Sequence, residues 1–220
     1  MPTTRKHFLE DLKDLYQELL KMGTLVEETI RKSIAALKTQ NSITAAEVLE
    51  DDEAINRFEK DIQDRCMILL ATEQPVASDL RTIVTAIKIA SQLERIGDHA
   101  VHVAKSALLL ADQRYVKPLI DIPRMGEMCV FMIHEILSAL VENDAPRAEV
   151  IAERDDEVDE LYNQVSREMI SYMLEDPHSI NQGVELVFVS RYLERMGDHV
   201  TNIAELVVYN ATGNHVELNR

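Results

Sequence analysis

"QLERIGDHA" from Gln92 to Ala100 and "YLERMGDHV" from Tyr192 to Val200 share the core Leu-Glu-Arg-x-Gly-Asp-His, one hundred residues apart. A motif written twice predicts duplication, and duplication predicts agreement elsewhere at nearly the same spacing. A shift of 103 positions sets "MGTLVEETIRKSIAALKTQ" from Met22 on "MGEMCVFMIHEILSALVEN" from Met125. Met22, Gly23, Ile30, Ala36 and Leu37 then meet Met125, Gly126, Ile133, Ala139 and Leu140. The same shift carries Ala45, Glu50 and Asp52 onto Ala148, Glu153 and Asp155, and a three-residue shortening further on brings the two motifs into line. The chain therefore reads as two copies of a unit of about a hundred residues, with repeats at 1–112 and 113–220.

Within each repeat apolar residues recur at steps of three and four, glycine is scarce and no alternating strand pattern appears. Breaks fall near Asn41, at Gln74-Pro75, from Arg114 to Asp121, from Asn143 to Pro146, and at Asp176-Pro177. Asn41 and Asp144 occupy equivalent positions and suit helix N-caps, and Asp121 ahead of Pro123 opens another helix. The prediction is all-α: six long helices, about 20 to 35 residues each, as two tandem three-helix bundles joined by "ADQRYVKPLID".

Charge bounds the partners. Lys and Arg total 23 against 39 Asp and Glu, a formal net charge of -16. That field repels nucleic acid and anionic lipid and attracts cations. The charged opening "MPTTRKHFLEDLKDLYQELL" predicts no secretory signal, and no apolar run approaches the roughly 20 residues that span a bilayer. Cys66 and Cys129 stand alone and read as reduced core residues, and nine Met read as core filling. These features predict a cytoplasmic chain with no direct membrane insertion.

On a helix Glu94 and Asp98 stand one turn apart on one face, as do Glu194 and Asp198. They border the stripe Ala86, Ala90, Leu93, Gly97, Ala100 and Ala104. Gly97 costs about 1 kcal/mol of helix stability relative to Ala, and its presence in both copies predicts a close approach there. A second pair lies one turn apart in the second predicted helix, Asp52 and Asn56, with counterparts Asp155 and Asp159 in the fifth. Folding each hairpin at its proline, Pro75 or Pro177, brings its two pairs level, roughly 30 Å from the turn. Three or four oxygen donors converging from facing helices suit a hard or borderline cation, and such crowding is costly without one. The expected ligands are Asp52, Asn56, Glu94, Asp98, Asp155, Asp159, Glu194 and Asp198. Oxygen ligands favour Mg, Mn, Ca or Fe, whereas Zn gains from an imidazole. His99, His102 and His199 are the imidazoles at hand, though His99 and His199 project about 100° from the preceding Asp.

His134-Glu135 begins a zincin-like pattern, but no second His follows; no Glu-x-x-His pair, phosphate loop or serine elbow is present. The reading is non-enzymatic, with no catalytic residue. Two alternatives stay open: a surface metallohydrolase acting on phosphate esters, and a metal-free helical scaffold.

The two motifs, "EQPVASDLR" from Glu73 to Arg81, and "RYLERMGDHVTNIAELVVYNATG" from Arg191 to Gly213 together make nearly the whole chain resemble the PhoU family of bacterial phosphate-signalling proteins. Family members bind metal ions or multinuclear clusters through Glu/Asp-x-x-x-Asp motifs. The resemblance implies divalent Fe, Zn, Mn or Mg held by Glu94, Asp98, Glu194 and Asp198, with Asp52, Asp155 and Asp159 opposite. It also implies negative regulation of the phosphate-starvation response by an adaptor between the phosphate ABC transporter ATPase and a sensor histidine kinase. A homodimer, peripheral at the inner membrane through its partners, is implied as well. Two departures stand out: Asn56 replaces a carboxylate, and Asp79 and Arg81 have no counterpart in "DPHSINQG" of the second repeat.

Overall fold

Short polar side chains ahead of apolar runs start two of the helices as the sequence predicts. In the computed structural model, which describes residues 2–219 with side chains from His7 onward, Asn41 Oδ1 accepts from the Ile43 and Thr44 amides at 3.0 and 3.2 Å. Asp144 Oδ1 accepts from the Arg147 amide at 3.1 Å, satisfying donors that a helix start otherwise leaves unpaired. Met1 and Arg220, the outer ends of the predicted repeats, lie outside the described residues.

The helices are α1 (Pro2–Thr39), α2 (Ser42–Glu73), α3 (Ser78–Leu109), α4 (Asp121–Glu142), α5 (Ala145–Ala152), α6 (Asp155–Glu175) and α7 (Ile180–Thr212), with a 3₁₀ turn at Pro177–Ser179. Among the described residues there is no strand, and no helix is long and apolar enough to cross a membrane. The six predicted helices are present, the fifth interrupted into α5 and α6. At the interruption the Arg154 amide bonds Ile151 O and the Glu157 amide bonds Arg154 O, a tightened turn that neither glycine nor proline announces. It puts Asp155, Asp156 and Glu157 in the first turn of α6, where free amides and the helix dipole favour carboxylates.

α1, α2 and α3 pack as one bundle, and α4 and α5/α6 pack with α7 as the other. The stripe Ala86, Ala90, Leu93, Gly97, Ala100 and Ala104 is buried, as predicted. A β-carbon at Gly97 would stand 2.9 Å from Ile55 Cδ1, so this glycine admits α2. α3 and α7 run antiparallel against each other while α1 meets α4, and the two repeats share a single apolar core. Cys66 and Cys129 are free and buried, and burial pushes both thiols up to about 12. Met22, Met125, Met132, Met169 and Met196 fill the core.

The unduplicated Arg81 now has a role. Its Nε donates to the Asn210 carbonyl at 3.1 Å and its guanidinium lies 5.8 Å from the Tyr209 ring, holding the last turn of α7. Beside it Thr82 Oγ1 donates to Asn210 Oδ1 at 3.1 Å. One repeat later, Gln182 instead holds the linker, accepting from the Val116 amide and donating to the Arg114 carbonyl. The start of α3 thus fastens the end of α7, and the start of α7 fastens the linker that follows α3. Arg81→Ala should lower stability by about 1–2 kcal/mol, a Tm fall of a few degrees. Arg114→Ala, exposed and among the described residues engaged only through its carbonyl, should leave Tm unchanged.

Candidate metal centres

The hairpins close as the sequence predicts. In the first groove α2 carries Asp52, Asn56 and Glu59, and α3 carries Glu94 and Asp98. Asn56 Nδ2 donates to Asp52 Oδ2 at 3.3 Å, one turn back. Burial raises the Asp52 carboxyl above its ordinary range, and the facing charge of Asp98 raises it further. Glu94 is raised by burial, then by Asp98, Glu59 and Asp52, against the lowering pull of Arg95.

In the second groove α6 supplies Asp155 and Asp159, and α7 supplies Glu194 and Asp198. Burial pushes Asp155 up to about 7, helped by Asp159 and Asp198. Asp159 and Glu194 are also raised, each by burial first and Asp198 second. This groove is the deeper one: Asp155 is 8% exposed and Glu194 9%. Thr201 Oγ1 donates to Asp155 Oδ2 at 3.2 Å, while Asp155 Oδ1 and Glu194 Oε2 are buried with no hydrogen-bond partner. Gly197 makes this possible, because a β-carbon there would collide with Asp155 Oδ1.

The structure brings Asp52, bonded to Asn56 one turn on, toward Glu94 and Asp98, and Asp155 and Asp159 toward Glu194 and Asp198. Their donors are hard oxygens, and two of those oxygens are buried and orphaned, the chemistry a divalent cation satisfies. As the side chains stand, no three Asp, Glu, His or Cys among the described residues are close enough to enclose one ion. Closing on a cation requires side-chain rotation away from mutual repulsion. Arginines also compete: Arg191 pairs with Glu194 while lying 5.6 Å from the Tyr162 ring, and Arg95 lies 3.6 Å from Glu94 and 3.9 Å from Asp98.

Glu59 was not expected. Its Oε1 accepts from Ser91 Oγ at 2.9 Å and from Gln63 Nε2 at 2.8 Å, beside Glu94. Its repeat counterpart is Tyr162, just as Ser91 corresponds to Arg191, so duplication conceals it; its place one turn beyond Asn56 was the available signal. With Glu59 the first groove also gathers four carboxylates. The imidazoles do other work. His99 and His199 stack with ring centroids 5.4 Å apart, His99 and His102 both stack on Tyr192, and His199 Nδ1 bonds Gln92 Oε1 at 2.8 Å. They lie in the seam between repeats.

The raised carboxylates fix a pH dependence. A folded-state pKa above the unfolded value means that the folded chain holds that proton more tightly, so the stability the group contributes is complete below its unfolded pKa and falls as pH rises through the folded one. For Asp155 that loss spans pH 4 to 7, and Asp52, Glu94, Asp159 and Glu194 act in the same direction. His99, lowered to about 4, and His199 act in the opposite direction over the lower part of that window, so the carboxylate contribution is read as a difference between proteins: the Tm of metal-free Asp155→Asn relative to the parent should rise from pH 4 to 7 and stay higher at pH 8. A difference that does not change with pH would contradict this. Gly197→Ala should displace Asp155 and lower stability by about 1–3 kcal/mol, read by thermal unfolding.

The PhoU domain model matches residues 19–107 and 122–207, one match in each repeat. The phosphate-specific transport system accessory protein PhoU homolog of Clostridium acetobutylicum is 40% identical over 217 residues, 98% of this chain and 99% of that protein. The Aquifex aeolicus homolog is 40% identical, over 94% of each chain. The crystal structure of PhoU from Pseudomonas aeruginosa superposes with a TM-score of 0.90 at 38% identity, covering 94% of this chain and all of that one. The phosphate transport system regulatory protein PhoU of Streptococcus pneumoniae gives 0.89 at 33% identity, covering 96% and 99%. Two matched repeats, full-length relatives and a common fold place the chain in the PhoU family.

Proposed function

We propose that this protein is a non-enzymatic accessory of phosphate transport that binds divalent metal in both grooves and regulates by docking. The carrying observation is the second groove, where Asp155, Asp159, Glu194 and Asp198 face one another and two buried carboxylate oxygens lack partners. A cation there would replace like-charge repulsion with attraction, and Asp52, Asn56, Glu94 and Asp98 would hold another in the first groove. Mg, Mn or Fe suits an oxygen shell better than Zn, because the facing donors are carboxylates while His199 Nδ1 is bonded to Gln92 and His99 and His102 stack on Tyr192 in the seam. Relatives named as accessories of phosphate-specific transport support the broader role.

The finer reading rests on the family resemblance. The chain acts in the cytoplasm, peripheral to the inner membrane, as a homodimeric adaptor between the transporter ATPase and the sensor histidine kinase. It holds the kinase inactive while phosphate is ample. In cells lacking the protein, a phosphate-starvation reporter should stay on in ample phosphate, and the parent gene should silence it. A reporter indifferent to the protein would overturn the regulatory reading. For metal, titrating Mn²⁺ while following unfolding should raise Tm by roughly 5–10 °C at a hundredfold excess over Kd. Asp198→Asn should remove the part due to the second groove, and Asn56→Asp should tighten the first. Identical responses in both variants and the parent would sink the metal assignment.

A further inference from the structure

α3 and α7 cross as antiparallel partners, and their contacts obey a local two-fold relation. Gln92 meets His199 while its counterpart Tyr192 meets His99, and the two equivalent imidazoles stack across the crossing. Near one end Thr82 bonds Asn210; near the other Ser106 bonds Glu185. The pair therefore crosses close to Ile96 and Met196, the middle of the duplicated motif.

The outer surface of this pair is also duplicated. On α3, Leu80 and Val84 are 41% and 36% exposed, and at the same offset on α7 Ile180 and Val184 are 45% and 39% exposed. Each pair lies one turn apart near the start of its helix, on the side away from the buried alanine stripe. Isolated exposed apolar residues are ordinary. Apolar residues exposed at the same two places in both copies form a pattern. Phe188, 49% exposed, extends the second patch where the first has Lys88. Between the patches the outer stripe carries Lys88, Arg95 and Arg195, all exposed. Lys88 and Arg195 make no ion pair or hydrogen bond among the described residues, in a chain of net charge -16.

We propose that the α3–α7 face docks a two-fold symmetric protein partner, a homodimer with an acidic strip on its axis and an apolar socket on either side. At 1.5 Å per residue each patch lies about 20 Å from the crossing, so the sockets are about 40 Å apart. One chain with a local two-fold relation fits one dimer along a common axis, each repeat meeting one subunit through the same contacts. A second copy of this chain fits badly, because it would set Lys88, Arg95 and Arg195 against their own like charges. The adaptor reading supplies only the choice of probes.

The test mixes the purified transporter ATPase dimer, and separately the detergent-solubilised sensor kinase dimer, with the full-length protein. Complex mass is then read by native mass spectrometry and affinity by interferometry. The expected result is one chain per dimer with at least one probe. Val84→Asp and Val184→Asp should each weaken binding about tenfold or more, and the double variant about a hundredfold or more. The second site should cost more because Phe188 enlarges its patch. Both positions are exposed, so circular dichroism and Tm should match the parent. Binding unaffected by both substitutions overturns the face and leaves the adaptor reading standing. Two chains per dimer, or an effect confined to one repeat, overturns the symmetric partner. Binding to neither probe overturns the proposal and the adaptor reading together, and self-association lost in both variants assigns the face to a second copy instead.

Discussion

Like charges are forced together in this fold by the same close packing that holds it up. α3 carries small residues on its inner side, and both inner helices place a glycine against the neighbouring helix: Gly97 faces Ile55, and Gly197 faces the Asp155 carboxylate itself. Once the helices close, carboxylates one turn apart on each feel the charge of their counterparts opposite. Burial and mutual charge raise five of them, Asp155 most, and leave two oxygens without partners. Surface ion pairs contribute only about 0.3–0.5 kcal/mol on a helix, too little to explain a buried arrangement that nearby arginines neutralise only in part. A cation bound there, as proposed, would offset that repulsion and give the orphaned oxygens a partner.

Duplication made the architecture legible, and divergence set the limit. The repeated motif fixed the helix count and the pairing of grooves, and Asn41 and Asp144 announced two helix starts that hydrogen bonding bears out. Eight groove residues could be named because spacing and hairpin midpoint are both simple arithmetic on helices. Glu59 escaped because its copy is Tyr162, and a search for agreement between halves passes over a residue that only one half has. The seam roles of His99 and His199 escaped for another reason: helical phase places them beside the carboxylates but says nothing of which helix packs there. The break after Ala152 carries no glycine or proline, so periodicity runs straight through it.

What the copies no longer share is where each repeat meets the rest of the chain. Arg81 and Thr82 fasten the end of α7, whereas Gln182 fastens the linker that follows α3. The grooves have diverged as well. The second is deeper and pairs Arg191 with Glu194 beside Tyr162; the first places Ser91 on Glu59 at the same points. Two sites of one origin thus differ in burial and counter-charge, the quantities that set cation affinity and its dependence on pH.

The central claim is that these grooves hold cations through oxygen. X-ray absorption at the manganese edge of Mn²⁺-loaded protein tests it most directly. The account predicts a shell of about six oxygens with no imidazole scattering, reduced in intensity when Asp155, Asp159, Glu194 and Asp198 are replaced by their amides. Imidazole in the shell, or retention of all bound manganese by that fourfold variant, would contradict it.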